Sequence, residues 1–176
     1  MMTENLSAKQ EMMIKSFEQH VNAELSGDLK TTMDTMSDEP HLNHVPVMMG
    51  GFGKDGVRRF YSGHLVGKFF PPDVTMMNVS RTVGDYQIVD ELVIHFTHTV
   101  TIDWLLPGVH PTGKKVEMAV VVIVGFKDDK ISHEHIYWDQ ASVLVQIGLL
   151  DPTGLPVSGC ESARKVLDPK LPFRLM

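Results

Sequence analysis

The densest run of side chains able to do chemistry is residues 131–139, Ile-Ser-His-Glu-His-Ile-Tyr-Trp-Asp, directly ahead of an apolar stretch. Strand alternation groups Ile131, His133, His135, Tyr137 and Asp139 on one face, and Ser132, Glu134, Ile136 and Trp138 on the other. A carboxylate at the end of a strand, at the mouth of an apolar hollow, is desolvated, and its pKa rises into the range useful for acid/base work on a carbon acid. Asp139 fits that description, and it equally fits the N-cap of a helix beginning at Gln140 or Ala141. His133 and His135 have the i, i+2 spacing of a metal pair, with His98 or His44 as a third ligand. The simpler expectation is that these imidazoles hydrogen-bond and tune a pocket, with no metal bound.

Further polar positions fall on apolar faces. In residues 86–106 one strand face reads Ile88, Asp90, Leu92, Ile94, Phe96, His98, Val100, Ile102 and Trp104, so Asp90 and His98 interrupt an otherwise greasy surface. Arg81 sits across a hairpin from Asp90 and Glu91, which predicts a cross-strand ion pair. His41 and His44 point to opposite faces of a short extended segment, and His20 and His110 read as surface or loop residues. The single cysteine, Cys160, excludes an intramolecular disulfide and suits a reducing compartment, so a cytoplasmic protein is expected.

The elements that must hold these groups follow from periodicity. Ser7 and Gln10 form a capping-box pair ahead of Ile14, Phe17, Val21 and Leu25 at helical spacing, and Gly27 ends that helix. Asp28 caps a short second helix carrying Leu29, Met33 and Met36 on one face. A short strand over residues 40–48 leads through a glycine-rich turn to a third helix from Asp55, with Val57, Phe60, Tyr61 and His64 at helical spacing. Strands then cover residues 74–82, 86–106, 115–126 and 131–139, joined by hairpin-length turns, so the sheet is expected to be antiparallel. Strands this long must bend, and a curved sheet wrapped around helices makes a cone whose interior is the natural ligand site. The result is one α+β cone domain over residues 1–150, with a proline-rich tail over 151–176 packed on it.

Bulk properties narrow the partners. The chain has 176 residues, and a formal charge of −6 without any basic cluster argues against nucleic acid or an anionic membrane surface. Residues 1–17 hold no apolar leader core, and the longest apolar run, 118–126, is too short to span a bilayer.

The closing segment, Asp129-Lys130-Ile131 through Trp138-Asp139-Gln140 and then Leu144-Val145-Gln146-Ile147-Gly148, resembles the closing motif of the SnoaL-like polyketide cyclase branch of the nuclear-transport-factor-2-like superfamily. The segment 41–46, the helix with Arg58, Arg59, Phe60 and Tyr61, and the loop Pro111-Thr112-Gly113-Lys114 match the layout of that family as well. The resemblance covers roughly residues 12–150 and implies helices packed in a strongly curved antiparallel sheet, and a homodimer through the convex face. It implies cofactor-free acid/base chemistry, meaning cyclisation, isomerisation or dehydration of a hydrophobic carbonyl compound. Asp139 would be the acid/base, with His135 and His44 assisting and His133, Tyr137, His98, Asp90, Trp104, Tyr61 and Phe60 binding the substrate. Two other readings are a non-catalytic ligand-binding or dimerisation module, and an epoxide or lactone hydrolase whose carboxylate pair would be Asp90 and Asp139. No Gly-x-Ser-x-Gly or Gly-x-Cys-x-Gly elbow is present, which argues against a nucleophilic hydrolase.

Overall fold

A computed structural model describes residues 6–65 and 70–173; positions 1–5 and 174–176 of the two expected segments lie outside that description. The chain begins with α1 (Ala8–Ser26), α2 (Leu29–Asp34), β1 (Met36–His44), β2 (Met49–Phe52) and α3 (Gly53–Phe60), which runs into a π-helical turn, Tyr61–Leu65. Strands β3 (Thr75–Val83), β4 (Gln87–Thr97), β5 (Lys115–Lys127) and β6 (Lys130–Trp138) follow, then α4 (Gln140–Gln146) and α5 (Glu161–Leu167). No helix among the described residues is long and apolar enough to cross a membrane.

The helix ends form as their sequences dictate. Ser7 Oγ accepts the Gln10 N–H at 3.2 Å while Gln10 Oε1 accepts the Ser7 N–H at 2.9 Å, and Gly27 closes α1 in the left-handed conformation at φ 76°. Asp28 caps α2 by accepting the Thr31 N–H at 3.0 Å. The face of α1 that turns inward carries Met13, Phe17, His20, Ala23 and Glu24, whereas Leu25 is half exposed. The core stripe is therefore rotated from the expected one, and two ionisable residues occupy core positions.

The strands form one sheet in the order β2-β1-β6-β5-β4-β3. It is mixed, not purely antiparallel, because β1 runs parallel to β6. Chain continuity explains this: β1 and β6 are joined through the whole molecule rather than by a turn, so no hairpin forces them to oppose. Strand β4 ends at Thr97 rather than running on to residue 106. The loop that follows tucks Ile102, Trp104, Leu105 and Leu106 into the core, its base closed by His98 N–H to Lys114 O at 2.8 Å and Gly113 N–H to His98 O at 2.9 Å.

Two irregularities set which residues look inward. Gly125 pairs with His133 and Phe126 with Ile131, so Ser132 is an extra residue on β6. After that bulge the inward positions are Glu134, Ile136 and Trp138, while His133, His135 and Tyr137 turn outward. In β3, Asn78 pairs with Leu92 and Ser80 with Glu91, leaving Val79 as the extra residue and bringing Arg81 opposite Asp90.

The hairpin β1–β2 and helix α3 approach closely at Gly51. A Cβ there would lie 2.4 Å from the Gly56 carbonyl carbon and 2.6 Å from the Val57 nitrogen, both backbone atoms that cannot rotate away. Gly51→Ala is expected to destabilise the fold by roughly 1–3 kcal/mol through this overpacking. Chemical denaturation checks it, and an unchanged midpoint would show that β2 is free to shift.

Candidate active site

The concave side of the sheet and α1 enclose a cavity of about 250 Å³. Its walls are largely apolar, from Phe17, Leu42, Leu92, Ile94, Met118 and Val120. Polar groups enter at two places: His44, Glu24 and Glu134 on one side, and Arg81 with Asp90 and Glu18 on the other.

The first group is tied to a buried cluster behind the wall. His20 is fully buried, and its Nδ1 lies 2.6 Å from Thr35 Oγ1, whose own proton goes to the Thr32 carbonyl at 2.7 Å. Nδ1 therefore carries a hydrogen and donates it to Thr35. Nε2 faces Glu24 Oε1 at 3.2 Å, Glu134 Oε2 at 3.4 Å and the Tyr61 hydroxyl at 3.1 Å. Tyr61 in turn donates its proton to Glu134 Oε2 at 2.8 Å. Every neighbour of Nε2 is thus an acceptor, which requires the imidazolium form.

The electrostatics agree. Burial disfavours the His20 cation, but Glu134 and Glu24 outweigh it and hold the imidazole pKa well above its ordinary value. Burial pushes Glu24 upward, opposed by His20. Glu134 meets the same burial, yet the His20 cation and the Tyr61 hydroxyl hold it below the ordinary carboxylate value. Two carboxylates that share one cation therefore have their proton affinities driven apart, the pattern that separates an acid from a base within one site. Ligand atoms of His20, Glu24 and Glu134 lie within 4.8 Å of one another, close enough to surround a cation.

His44 stands apart from this cluster. It is buried between Phe60, Trp104 and Trp138, with ring centroids 5.2, 5.1 and 6.1 Å away. Its Nδ1–H donates to the Met49 carbonyl at 3.3 Å, leaving Nε2 as an acceptor. Burial lowers its pKa to about 4, so it is neutral at pH 7. On the opposite wall Arg81 grips Asp90 through two bonds, Nε to Oδ1 at 2.7 Å and Nη2 to Oδ2 at 2.6 Å, the ion pair that the hairpin spacing predicts.

The structure separates the expected site residues. His44, Asp90 and Trp104 line the cavity. Tyr61 and Phe60 are buried behind it, Tyr61 against Glu134 and Phe60 against His44. His98 lies at the base of the 98–114 loop beside Thr112 Oγ1, outside the cavity lining. Asp139, expected at the mouth of the hollow, is exposed and caps α4 by accepting the Ser142 N–H at 3.1 Å. His133, His135 and Tyr137 face outward, because the Ser132 bulge inverts the alternation after Ile131. The Asp90–Asp139 pair that a water-activating hydrolase needs is accordingly not assembled: one carboxylate is bound to Arg81 inside and the other caps a helix outside. The metal set of His133 and His135 with His98 or His44 is dispersed as well.

His20, Glu24 and Glu134 were not anticipated from the sequence. The available signal was the i, i+4 pair His20 and Glu24 in register with Met13 and Phe17, which marks polar side chains on a core face.

A curved sheet that folds around helices and leaves an apolar chamber with opposed acid/base groups defines a small-molecule pocket protein. The sequence matches the family model for SnoaL-like polyketide cyclases over residues 16–147, and the chain belongs to that family. No curated protein matches the sequence significantly. Among solved structures, a protein assigned as a SnoaL-like polyketide cyclase from Jannaschia sp. CCS1 superposes with a TM-score of 0.65 at 14% identity, covering 84% of this chain and 99% of its own. IdmH from Streptomyces antibioticus, assigned as a polyketide cyclase, gives 0.57 at 19% identity over 77% of this chain and 98% of its own. AclR from Streptomyces galilaeus, assigned as a hydroxylase, gives 0.59 at 18% identity over 81% and 88%. At these identities the likeness establishes the shared fold.

The buried neutral imidazole makes a pH prediction. The folded pKa of His44, about 4, lies below its ordinary 6.5, so the stabilisation is present above pH 6.5 and is lost as pH falls towards 4. The loss amounts to about 3 kcal/mol. NMR titration is expected to place the His44 transition near pH 4, and His44→Gln should flatten that part of the acid limb in denaturation. A His44 resonance titrating at its ordinary value would contradict the burial argument.

Proposed function

We propose that this protein is a cofactor-free acid/base enzyme acting on a hydrophobic carbonyl compound, by cyclisation or isomerisation, with Glu134 as base and Glu24 as acid. The observation that carries the reading is geometric: two carboxylates border one apolar cavity while sharing a single buried imidazole behind it. Glu134, held ionised by His20 and Tyr61, takes a proton from the carbon next to a carbonyl. Glu24, whose proton affinity burial pushes upward, takes up a proton and delivers it to the carbonyl oxygen as the enolate forms, and receives it back when the carbonyl is restored. Return of the proton to another carbon completes an isomerisation. Attack of the enolate carbon on a second carbonyl forms a carbon–carbon bond, and the new alkoxide takes up the proton. Neutral His44 accepts but does not donate at Nε2, so it suits a substrate hydroxyl. The Arg81–Asp90 pair orients a polar end of the substrate at the far wall.

The size of the chamber supports a compact ligand. A cavity of roughly 150 Å³ already takes benzene, so about 250 Å³ suits one or two fused rings. Family membership and the names of the structural relatives point the same way. The tail is proposed to belong to the cone domain, supported by Ser142 Oγ donating to Gly159 O at 2.7 Å and by the Arg164–Glu117 pair. The cytoplasmic placement rests on the lone cysteine alone. A homodimer through the part of the convex face around Thr97 and Thr99 is proposed from the resemblance, and light scattering at micromolar concentration checks it, a monomer ending that reading.

Hydrogen–deuterium exchange at the α-carbons of bicyclic ketones such as tetralones, followed by NMR, tests the chemistry without knowledge of the natural substrate. The protein is expected to accelerate exchange, and Glu134→Gln to reduce the acceleration by about 10²-fold or more. Binding of these ketones without acceleration would favour the non-catalytic pocket instead, and acceleration that survives Glu134→Gln would remove the assigned base.

A further inference from the structure

The convex face carries a second concentration of imidazoles, unconnected to the cavity. The Ser132 bulge turns His133 and His135 outward on β6. Strand β1 lies parallel beside it, with His41 opposite His133 and Asn43 opposite His135. His41 is therefore directly beside His133 and diagonal to His135. Its Nε2 is 3.0 Å from His135 Nε2. The His41 and His133 rings stack at 5.1 Å with planes 12° apart, and the His133 and His135 centroids are 4.8 Å apart. All three side chains are half buried, so solvent still reaches them.

We propose that His41, His133 and His135 form a binding site for a borderline divalent transition cation such as Zn²⁺, Ni²⁺ or Cu²⁺. Two ring nitrogens that face one another at this distance either share a proton or share a metal. Nitrogens bound tetrahedrally at 2.0–2.1 Å from zinc are about 3.3 Å apart, so the His41–His135 pair needs only a small opening to admit the ion. Imidazole is a favoured ligand for these metals, and hard cations such as Mg²⁺ or Ca²⁺ find no oxygen cage among the three rings. His133 must swing from its stacked position to bring a third nitrogen to the same point. In its present position the His133 ring fills the space over Gly125 on the neighbouring strand, where an added Cβ would collide with Cε1 and both ring nitrogens. Ser132 Oγ, 3.3 Å from His133 Nδ1, is placed to orient the ring from behind, leaving Nε2 for the ion. Water fills the remaining positions, since the face is open.

Isothermal titration of ZnCl₂ and NiCl₂ into the full, untagged chain tests the site. The expected result is one ion per chain with micromolar affinity. His41→Ala and His135→Ala should each weaken binding at least about ten-fold, and His133→Ala should weaken it less, with circular dichroism showing the fold unchanged in each. No binding by the parent chain, or undiminished affinity in the His41→Ala, His135→Ala double variant, would overturn the proposal; the latter would place the ion elsewhere, as at His20, Glu24 and Glu134.

Discussion

A charged imidazole inside a protein is tolerable only where its counter-charges are fixed by the fold, and the His20 cluster shows how that requirement organises this chain. His20 and Glu24 come from α1, Glu134 from the middle of β6, and Tyr61 from the start of the π-helical turn after α3. Thr35, just after α2, takes the remaining imidazole hydrogen. One buried cation therefore ties three helical elements to the central strand of the sheet. Removing a partner from such a group leaves an uncompensated charge in a dry interior, a loss of about 3–5 kcal/mol. The same arrangement that fixes α1 in the sheet's concavity fixes two carboxylates at the cavity wall, so the structural and chemical demands on these residues coincide.

The cavity owes its asymmetry to where polar groups are allowed. Along β4 and β5 the inward positions Leu92, Ile94, Met118 and Val120 are apolar, and hydrogen bonding between the strands satisfies their backbone. Asp90 is buried in that wall only because the Val79 bulge aligns Arg81 to grip it with both donors. On the other side His44 enters as a neutral ring among aromatics, and Glu24 and Glu134 enter with their cation behind them. A ligand between these walls meets charge at two ends and hydrocarbon in between, which is a means of orienting a greasy molecule with polar termini.

How far the sequence discloses this follows from the same details. Helix caps at Ser7, Gly27 and Asp28 are local and were legible. So was the inner face of β4, where unbroken alternation carries Ile88, Asp90, Leu92, Ile94 and Phe96 inward, and so was the Arg81–Asp90 pair. The closing motif identified the family through its order and spacing. The facing of β6 was not legible because alternation has a period of two, and a single extra residue exchanges the faces of everything beyond it. Ile131 points inward as expected and His133 does not, with only Ser132 between them. On α1 the failure was rotational: Ile14, Val21 and Leu25 drew the apolar stripe away from His20 and Glu24, whose burial depends on partners distant in the chain. Asp139 misled for a third reason, since a strand-terminal aspartate and a helix N-cap have the same local signature and only the position of the cavity separates them.

That one bulge has a further consequence for how function is distributed over the two sides of the sheet. Were β6 regular from Ile131 onward, His133 and His135 would enter the cone, and Glu134 would face outward away from His20. The cation on α1 would then have a single carboxylate, Glu24, and the cavity would hold imidazoles with no fixed counter-charge. The inserted residue therefore does two things at once. It delivers the carboxylate that completes the buried cluster, and it exports a pair of histidines to the convex face, where His41 from the parallel neighbour meets them. Parallel pairing of β1 with β6 matters here as well, because it sets Leu42 and His44 inward beside Glu134 and Ile136 while His41 and Asn43 look outward. Sequence comparison among relatives this distant aligns strands but is blind to a one-residue slip of facing. The chemistry of each member consequently has to be read from its own bulges.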